Sequence, residues 1–217
     1  MKKAIILANG DAPSKTQINY LQVKDYDKII CADGGANSAK RLGIIPDVII
    51  GDLDSILKDH LIFFSDKTKI IKYLRQNDTD VEKSLKYLIK NKYDSVILLG
   101  ATGNRLDHTI CNLGIVLKFF EKISISIIHK KSFLSPYTGD IELQTIPGEV
   151  ISVYGFDEKT KITSNGLKYP LKNISLPFGK KESTSNIAIR ENVKLKIRNG
   201  VMFVIRDFNL IKKHDLI

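Results

Sequence analysis

Asp52 and Asp54 stand two residues apart, directly after the run Val48-Ile49-Ile50-Gly51. An apolar run rich in β-branched residues reads as the end of a buried strand. Gly51 lets the backbone turn out of that strand. Two carboxylates on so short a loop repel each other unless a cation lies between them. Hard oxygen donors of this kind suit Mg²⁺, which keeps several waters and shares a phosphate with its substrate. Asp54 and Ser55 are also common helix N-caps, but capping gives Asp52 no purpose. The pair therefore points to metal-assisted chemistry on a phosphate.

Four further stretches carry residues for the same task. Asn9-Gly10-Asp11 and Asp33-Gly34-Gly35-Ala36-Asn37 each follow an apolar run. Glycines at a helix start free backbone N–H groups for phosphate oxygens, although a plain strand-to-helix turn needs them too. Gly100-Ala101-Thr102-Gly103-Asn104-Arg105-Leu106-Asp107-His108 could cradle phosphates, and Arg105 could neutralise charge on a transferring group. It is neither a Walker A loop nor the dinucleotide fingerprint. Asp107 could be a ligand, a base or a carboxylate favoured by a helix N-terminus. Gln76-Asn77-Asp78-Thr79-Asp80 supplies two more acids and a sound N-cap at Thr79 or Asp80.

These positions need a scaffold that brings them together. Residues 4–8, 28–32, 48–50, 69–72, 95–99 and 124–128 read as six strands. Helical spacing lies between them, with Val81, Leu85, Leu88 and Ile89 on one face and Leu106, Ile110, Leu113, Leu117 and Phe120 on another. Repeated strand–helix units imply an α/β, Rossmann-like parallel sheet. In such a sheet all the loops above leave one edge, the carboxyl edge where ligands bind.

After about His129 the helical spacing stops and turn residues multiply. Ser135-Pro136-Tyr137-Thr138-Gly139-Asp140 reads as a linker or loop, and Pro147-Gly148 and Asn165-Gly166 as turns. Val193, Leu195 and Ile197 alternate with Lys194, Lys196 and Arg198, a half-buried strand. Asn199-Gly200 predicts a hairpin turn into a partner strand over residues 201–206. The expected organisation is a nucleotide-binding α/β catalytic domain over residues 1–134 and an all-β domain, a β-sandwich, over 135–217.

The chain has 217 residues and a formal charge of +10, from 34 Lys and Arg against 24 Asp and Glu. The lysines are scattered and do not interleave with aromatics, so no nucleic-acid surface is expected. The apolar runs are too short for a membrane span. The first run stops at Asn9-Gly10-Asp11, too early for a signal peptide, so a cytoplasmic location is expected. Cys31 and Cys111 sit in apolar runs and read as buried free thiols.

Four blocks appear together in an order and spacing that resembles the thiamine pyrophosphokinase family. They are Asp33-Gly34-Gly35-Ala36-Asn37, residues 46–56, Thr79-Asp80, and Gly103-Asn104-Arg105-Leu106-Asp107-His108. Gly166-Leu167-Lys168-Tyr169-Pro170-Leu171 and Ser183-Thr184-Ser185-Asn186 resemble that family's β-domain motifs, so the likeness spans nearly the whole chain. The resemblance implies transfer of the diphosphoryl group of ATP to the hydroxyl of thiamine, giving thiamine diphosphate and AMP. It implies Mg²⁺ as cofactor, ATP as co-substrate and a homodimer with thiamine sites between the α/β domain of one subunit and the sandwich of the other. On this reading Asp52, Asp54, Asp80, Arg105 and Asp107 are catalytic, and Asp52, Asp54 and Asp78 hold metal. ATP meets Asn9, Asp33, Gly34, Gly35, Asn37, Gly100, Thr102, Gly103 and Arg105. Thiamine meets Asp33, Gln76, Thr79, Tyr169, Ser183, Ser185 and Asn186. The chain departs from the family pattern at Asn77, where an acid is usual, at Asn104, where a glycine is usual, and at Ile187, where an acid is frequent.

Two other readings compete. Asp52-Leu53-Asp54 after a strand also resembles haloacid-dehalogenase-like phosphatases, in which the first Asp is a nucleophile, although Ile56 stands where Thr or Val is usual. A basic nucleic-acid-binding protein is the third, opposed by the acidic edge.

Overall fold

The computed structural model describes residues 1–74, 77–103 and 105–216. The chain divides into two compact units, Met1–His129 and Lys130–Ile217.

The first unit alternates strand and helix without exception: β1 (Lys3–Leu7), α1 (Lys15–Val23), β2 (Lys28–Ala32), α2 (Gly35–Leu42), β3 (Val48–Gly51), α3 (Lys58–Phe64), β4 (Lys69–Lys72), α4 (Asp80–Lys90), β5 (Ser95–Leu99), α5 (Leu106–Phe119) and β6 (Ser124–His129). Every strand pair within it is parallel, in the order β4-β3-β2-β1-β5-β6. The central strands are apolar on both faces because helices cover both, and Ile5, Ile6, Leu7, Ile30, Ile49, Ile50 and Leu98 are fully buried. The chain steps outward from β1 to β4, then returns to β5 on the other side of β1. That reversal between β1 and β5 opens a crevice at their carboxyl ends, where an α/β sheet takes its ligands.

Local signals fix the helix ends. Ser14 and Gln17 form a reciprocal capping box on α1, with the Gln17 N–H donating to Ser14 Oγ at 3.2 Å and the Ser14 N–H to Gln17 Oε1 at 2.8 Å. Thr79 caps α4 by accepting from the Glu82 N–H. The face of α5 differs from the one expected. Asn112, Ile115, Val116 and Phe119 are buried, whereas Leu106 and Ile110 are 71% and 62% exposed. Apolar residues occupy two stripes of this helix, and spacing alone does not say which one meets the sheet.

The second unit is antiparallel: β7 (Ser132–Gln144), β8 (Val150–Tyr154), β9 (Lys161–Asn165), β10 (Ser183–Ile187) and β11 (Asn192–Asp207), closed by a short helix α6 (Phe208–His214). The order is β10-β8-β11-β7, and β9 pairs with the first half of β11. Leu143, Ile151, Val153, Ile162, Leu195 and Val204 meet in one core drawn from β7, β8, β9 and β11. With the first unit this gives α/β followed by an all-β sandwich, to which α6 is an addition. Asp207 starts α6 by accepting the N–H groups of Asn209 and Leu210.

Two expectations fail here. Ser135-Pro136-Tyr137-Thr138-Gly139-Asp140 is not a loop but the middle of β7, paired with β11. Asn199-Gly200 is not a hairpin turn: β11 runs through it as one strand, with a register shift between Ile197 and Met202. A type I′ turn needs positive φ at both central residues, and here Asn199 has it at 61° while Gly200 does not. Gly200 serves close approach, since a Cβ there would lie 2.0 Å from Thr160 Oγ1. The pair is therefore a bulge that bends a long strand.

Arg206 and Glu149 form a buried two-pronged ion pair under this sheet, at 2.7 and 3.0 Å, and Arg206 also donates to the Gln144 carbonyl at 2.6 Å. Breaking such a pair leaves a charge stranded, whereas replacing both partners can be nearly neutral. Arg206→Met is expected to lower stability by about 3–5 kcal/mol, and adding Glu149→Leu to recover most of it. Urea unfolding followed by far-ultraviolet circular dichroism measures both; equal losses in the single and double variants would contradict the pairing.

Candidate active site

At the carboxyl edge of the parallel sheet lies an open cleft of about 540 Å³. Its walls come from the loops after β1, β2, β3 and β5 and from the start of α4, so residues far apart in sequence share it. Within it, one carboxylate oxygen from each of Asp33, Asp52 and Asp80 lies within 4.8 Å of the others. Asp33 follows β2, Asp52 follows β3 and Asp80 opens α4.

Asp33 is the most constrained of the three. It is 2% exposed and sits at φ 40°, a conformation few side chains adopt. Its Oδ2 accepts the Ser55 N–H at 3.0 Å, but its buried Oδ1 has no hydrogen-bond partner among the described residues. Burial, opposed by the Ser55 N–H and reinforced by the charges of Asp80 and Asp54, raises its carboxyl to about 6. Gly51 is what allows the crowding: a Cβ there would lie 2.6 Å from Asp33 Cβ. An orphaned buried carboxylate oxygen beside two further carboxylates fits a hard divalent cation such as Mg²⁺.

The loop that carries Asp52 is fixed from below. Asn37, buried in α2, donates to the Ser55 carbonyl at 2.9 Å and accepts the Leu57 N–H at 3.0 Å, with His60 Nδ1 also 2.9 Å away. Asn37 does not line the cleft; it positions the loop that does. Asp54 lines the same cleft but is not one of the three whose oxygens converge. It is exposed and accepts the Ser55 hydroxyl at 2.8 Å, which holds its carboxyl below the usual range. Asp78 lines the cleft and pairs with Lys86 at 2.7 Å.

The loops after β1 and β5 are zipped together. Ala8, Gly10 and Asp11 donate their N–H groups to the carbonyls of Leu99, Gly100 and Thr102, each at 2.8 Å. Gly100, at φ 63°, and Gly10 permit that close approach. Asn112 steadies the same turn by donating to the Ala101 carbonyl at 2.7 Å. Asn9, Gly34, Gly100, Thr102, Gly103 and Arg105 all face the cleft. Thr102 Oγ1 is buried without a partner among the described residues, a free hydroxyl for a ligand. Gly35 instead packs on β1, where a Cβ would meet the Leu7 carbonyl at 1.9 Å.

Arg105 and Asp107 form an exposed ion pair at the mouth, and Asp107 does not line the cleft. Lys83, which the motifs did not single out, is buried and lines the cleft, with Asp80 accepting its ammonium at 2.8 Å. The sign available in the sequence was its place three residues after Asp80, one helical turn on. Cys111 is exposed at the cleft rather than buried, and Cys31 alone is a buried thiol, its titration pushed up by burial. Gln76 and Asn104 lie outside the described residues.

In the second unit Tyr169, Ser183 and Asn186 come together, and Ser185 turns to Ser152. The buried Asn186 accepts the Tyr169 N–H at 3.1 Å and donates to the Tyr169 carbonyl at 2.7 Å and to Ser183 Oγ at 3.3 Å. Ser185, at φ 56°, donates its N–H to Ser152 Oγ. Tyr169 is 59% exposed.

A family model described as thiamin pyrophosphokinase, catalytic domain, matches residues 20–128, and one described as thiamin pyrophosphokinase, vitamin B1 binding domain, matches residues 140–202. The chain belongs to the thiamin pyrophosphokinase family. Thiamin pyrophosphokinase 1 of Caenorhabditis elegans is 29% identical over 203 residues, covering 86% of this chain and 82% of that protein. Thiamine pyrophosphokinase 3 of Oryza sativa subsp. japonica is 32% identical over 197 residues, covering 77% and 73%. The crystal structure of the thiamine pyrophosphokinase from Bacillus subtilis shares the fold, with a TM-score of 0.81 at 24% identity over 96% of this chain and 100% of that one. This is the family that the motifs resemble; neither the phosphatase nor the nucleic-acid reading is supported. Among the described residues no helix is long and apolar enough to cross a membrane.

The raised carboxyl of Asp33 has a consequence for stability. Between its ordinary value of 3.8 and about 6 the folded state holds a proton that the unfolded chain has lost. Folding is therefore weakened as pH rises through that window. Asp33→Asn removes this penalty while keeping an acceptor for the Ser55 N–H. The variant is expected to melt a few degrees above the parent at pH 8, and the gap to shrink towards pH 4, in thermal unfolding scans without metal. A lower melting temperature at pH 8 would contradict the crowding.

Proposed function

We propose that this chain transfers the diphosphoryl group of ATP to the hydroxyl of thiamine, releasing thiamine diphosphate and AMP. The observation that carries the reading is the convergence of Asp33, Asp52 and Asp80 at the carboxyl edge of a parallel sheet, in a chain of this family. In the reaction the thiamine oxygen bonds to the β-phosphorus, and the bond from that phosphorus to the oxygen bridging to the α-phosphorus breaks. AMP leaves with that oxygen. Transfers of this type need positioning and charge neutralisation more than covalent catalysis.

Asp33, Asp52 and Asp80 would hold Mg²⁺, with Asp54 and Asp78 close by on the same loops. Once bound, the ion supplies positive charge to the phosphate oxygens. The backbone N–H groups and the free hydroxyl of Thr102, on the turn from Gly100 to Gly103, bind phosphate, as do Gly34 and Asn9. Arg105 offsets charge on the departing side, released from Asp107. Asp80, which lines the cleft, and Asp107, close in sequence to Arg105, are the two acids proposed to take the hydroxyl proton. The α/β unit binds nucleotide. The β unit binds thiamine through Tyr169, Ser183, Ser185 and Asn186; the α/β unit's residues proposed for thiamine are Asp33, Thr79 and Gln76. The active form is a homodimer, a reading supported by the family resemblance.

The test is direct. Incubated with ATP, Mg²⁺ and thiamine, the protein is expected to yield AMP and thiamine diphosphate in equal amounts, separable by chromatography. Release of inorganic phosphate with no AMP would overturn the reading. Asp52→Asn is expected to lower kcat by about a hundredfold or more with an unchanged circular dichroism spectrum. A parent-like rate would remove Asp52 from the metal set. Asn186→Ala should raise the KM for thiamine and leave that for ATP unchanged.

A further inference from the structure

We infer that Lys83 is a built-in counter-ion that occupies Asp80 until metal arrives and is then handed to the nucleotide's phosphates. The inference rests on the proposed activity. It starts from an imbalance of charge in the cleft. Three carboxylates converge there, and a buried lysine, 8% exposed, lies among them. A buried ammonium is retained only where it is paired. Lys83 has Asp80 as its partner, at 2.8 Å.

An ammonium carries three N–H donors, and Asp80 takes one of them. Lys83 projects from the first turns of α4 into the same cleft that holds the partnerless Thr102 hydroxyl and the Asp33 oxygen. Its stem is long and flexible, so it can swing between neighbouring anions without moving the helix.

A divalent cation held by Asp33, Asp52 and Asp80 would meet Lys83 on the same Asp80 carboxylate. The two positive charges compete for it. Metal alone must displace the ammonium and leave it buried without a partner. Metal that enters with a polyphosphate supplies new anionic oxygens for the ammonium at the same moment. Lys83 therefore disfavours bare metal and favours the metal–nucleotide complex. The effect is opposite in sign for the two ligands, which a purely structural lysine does not produce.

Lys83→Met keeps the length of the side chain and removes the charge. Calorimetric titration of the variant with MgCl₂ alone is expected to give an affinity roughly tenfold above the parent. The KM for Mg-ATP, and the dissociation constant for Mg-ADP used as an inert probe, are expected to rise roughly tenfold. Lys83→Arg keeps the charge and should restore parent-like affinity for MgCl₂. Lys83→Gln, run in parallel with thermal melts, guards against a folding defect of the Met variant. Unchanged or weaker binding of MgCl₂ in both neutral variants would overturn the inference. So would tighter Mg²⁺ binding with nucleotide affinity unaltered. The metal and Mg-ADP titrations report on Lys83 without turnover. A parent that makes no AMP would sink the proposed activity, while the titrations would still decide whether Lys83 and metal compete.

Discussion

Mutual repulsion among Asp33, Asp52 and Asp80 is the constraint on which the rest of the site depends. With oxygens within 4.8 Å of one another, each charged pair costs about 3 kcal/mol at an effective dielectric constant near 20. No flexible loop would keep them there unaided. The three sit where they do because β2 and β3 are locked by parallel pairing and α4 packs on them through the buried Val81, Leu85 and Leu88. The strain is partly relieved inside the chain: Asp33 keeps its proton to a higher pH than a free carboxyl, up to about 6, and Lys83 covers Asp80. Stability is given up at this edge; on the proposed activity, the gain is that a cation finds its ligands already assembled.

The supporting contacts follow from that need. Asn37 does not touch the cleft, yet it fixes both ends of the turn from Ser55 to Leu57 and so the direction of Asp52. Glycine at position 51 admits the flank of Asp33. The turn after β5 is held twice, by the β1 loop and by Asn112. N–H groups that bind phosphate lose much of their value if they must be ordered at the moment of binding. On the proposed activity, the contacts holding this turn supply that ordering in advance.

Much of this was legible in the chain. The six parallel strands could be read from their apolar runs, because strands buried on both faces have continuous hydrophobic stretches. That the loops would share one edge followed from the strand–helix alternation. What spacing could not supply was direction. Asp52 and Asp54, two residues apart, look like a matched pair and both line the cleft, but the oxygens that converge with that of Asp52 come from Asp33 after β2 and Asp80 at the start of α4. Lys83 was hidden because a lysine in a helix normally reads as solvated surface. The Asn199-Gly200 bulge was read as a turn because the dipeptide is the same in both; only the φ of Gly200 distinguishes them. Asn37 carried a mixed signal, since a residue beside a glycine pair after a strand reads equally as a ligand-binding or a loop-holding group.

The acidic edge and the basic body act at different ranges. A formal charge of +10 draws polyphosphates towards the protein over roughly a Debye length, about 8–10 Å at physiological salt. At the cleft the field reverses, and a bare triphosphate would face three carboxylates at close quarters. On the proposed activity this combination discriminates between forms of one substrate. The long-range attraction concentrates anions of every kind, including free nucleotide. The short-range acids admit only those that bring a compensating cation. The selectivity thus lies in the chain's own charges, and it needs no contact with the base or the sugar. Any substitution that lessened the acidity of the edge would weaken metal binding and would also let unmetallated nucleotide linger where it cannot react.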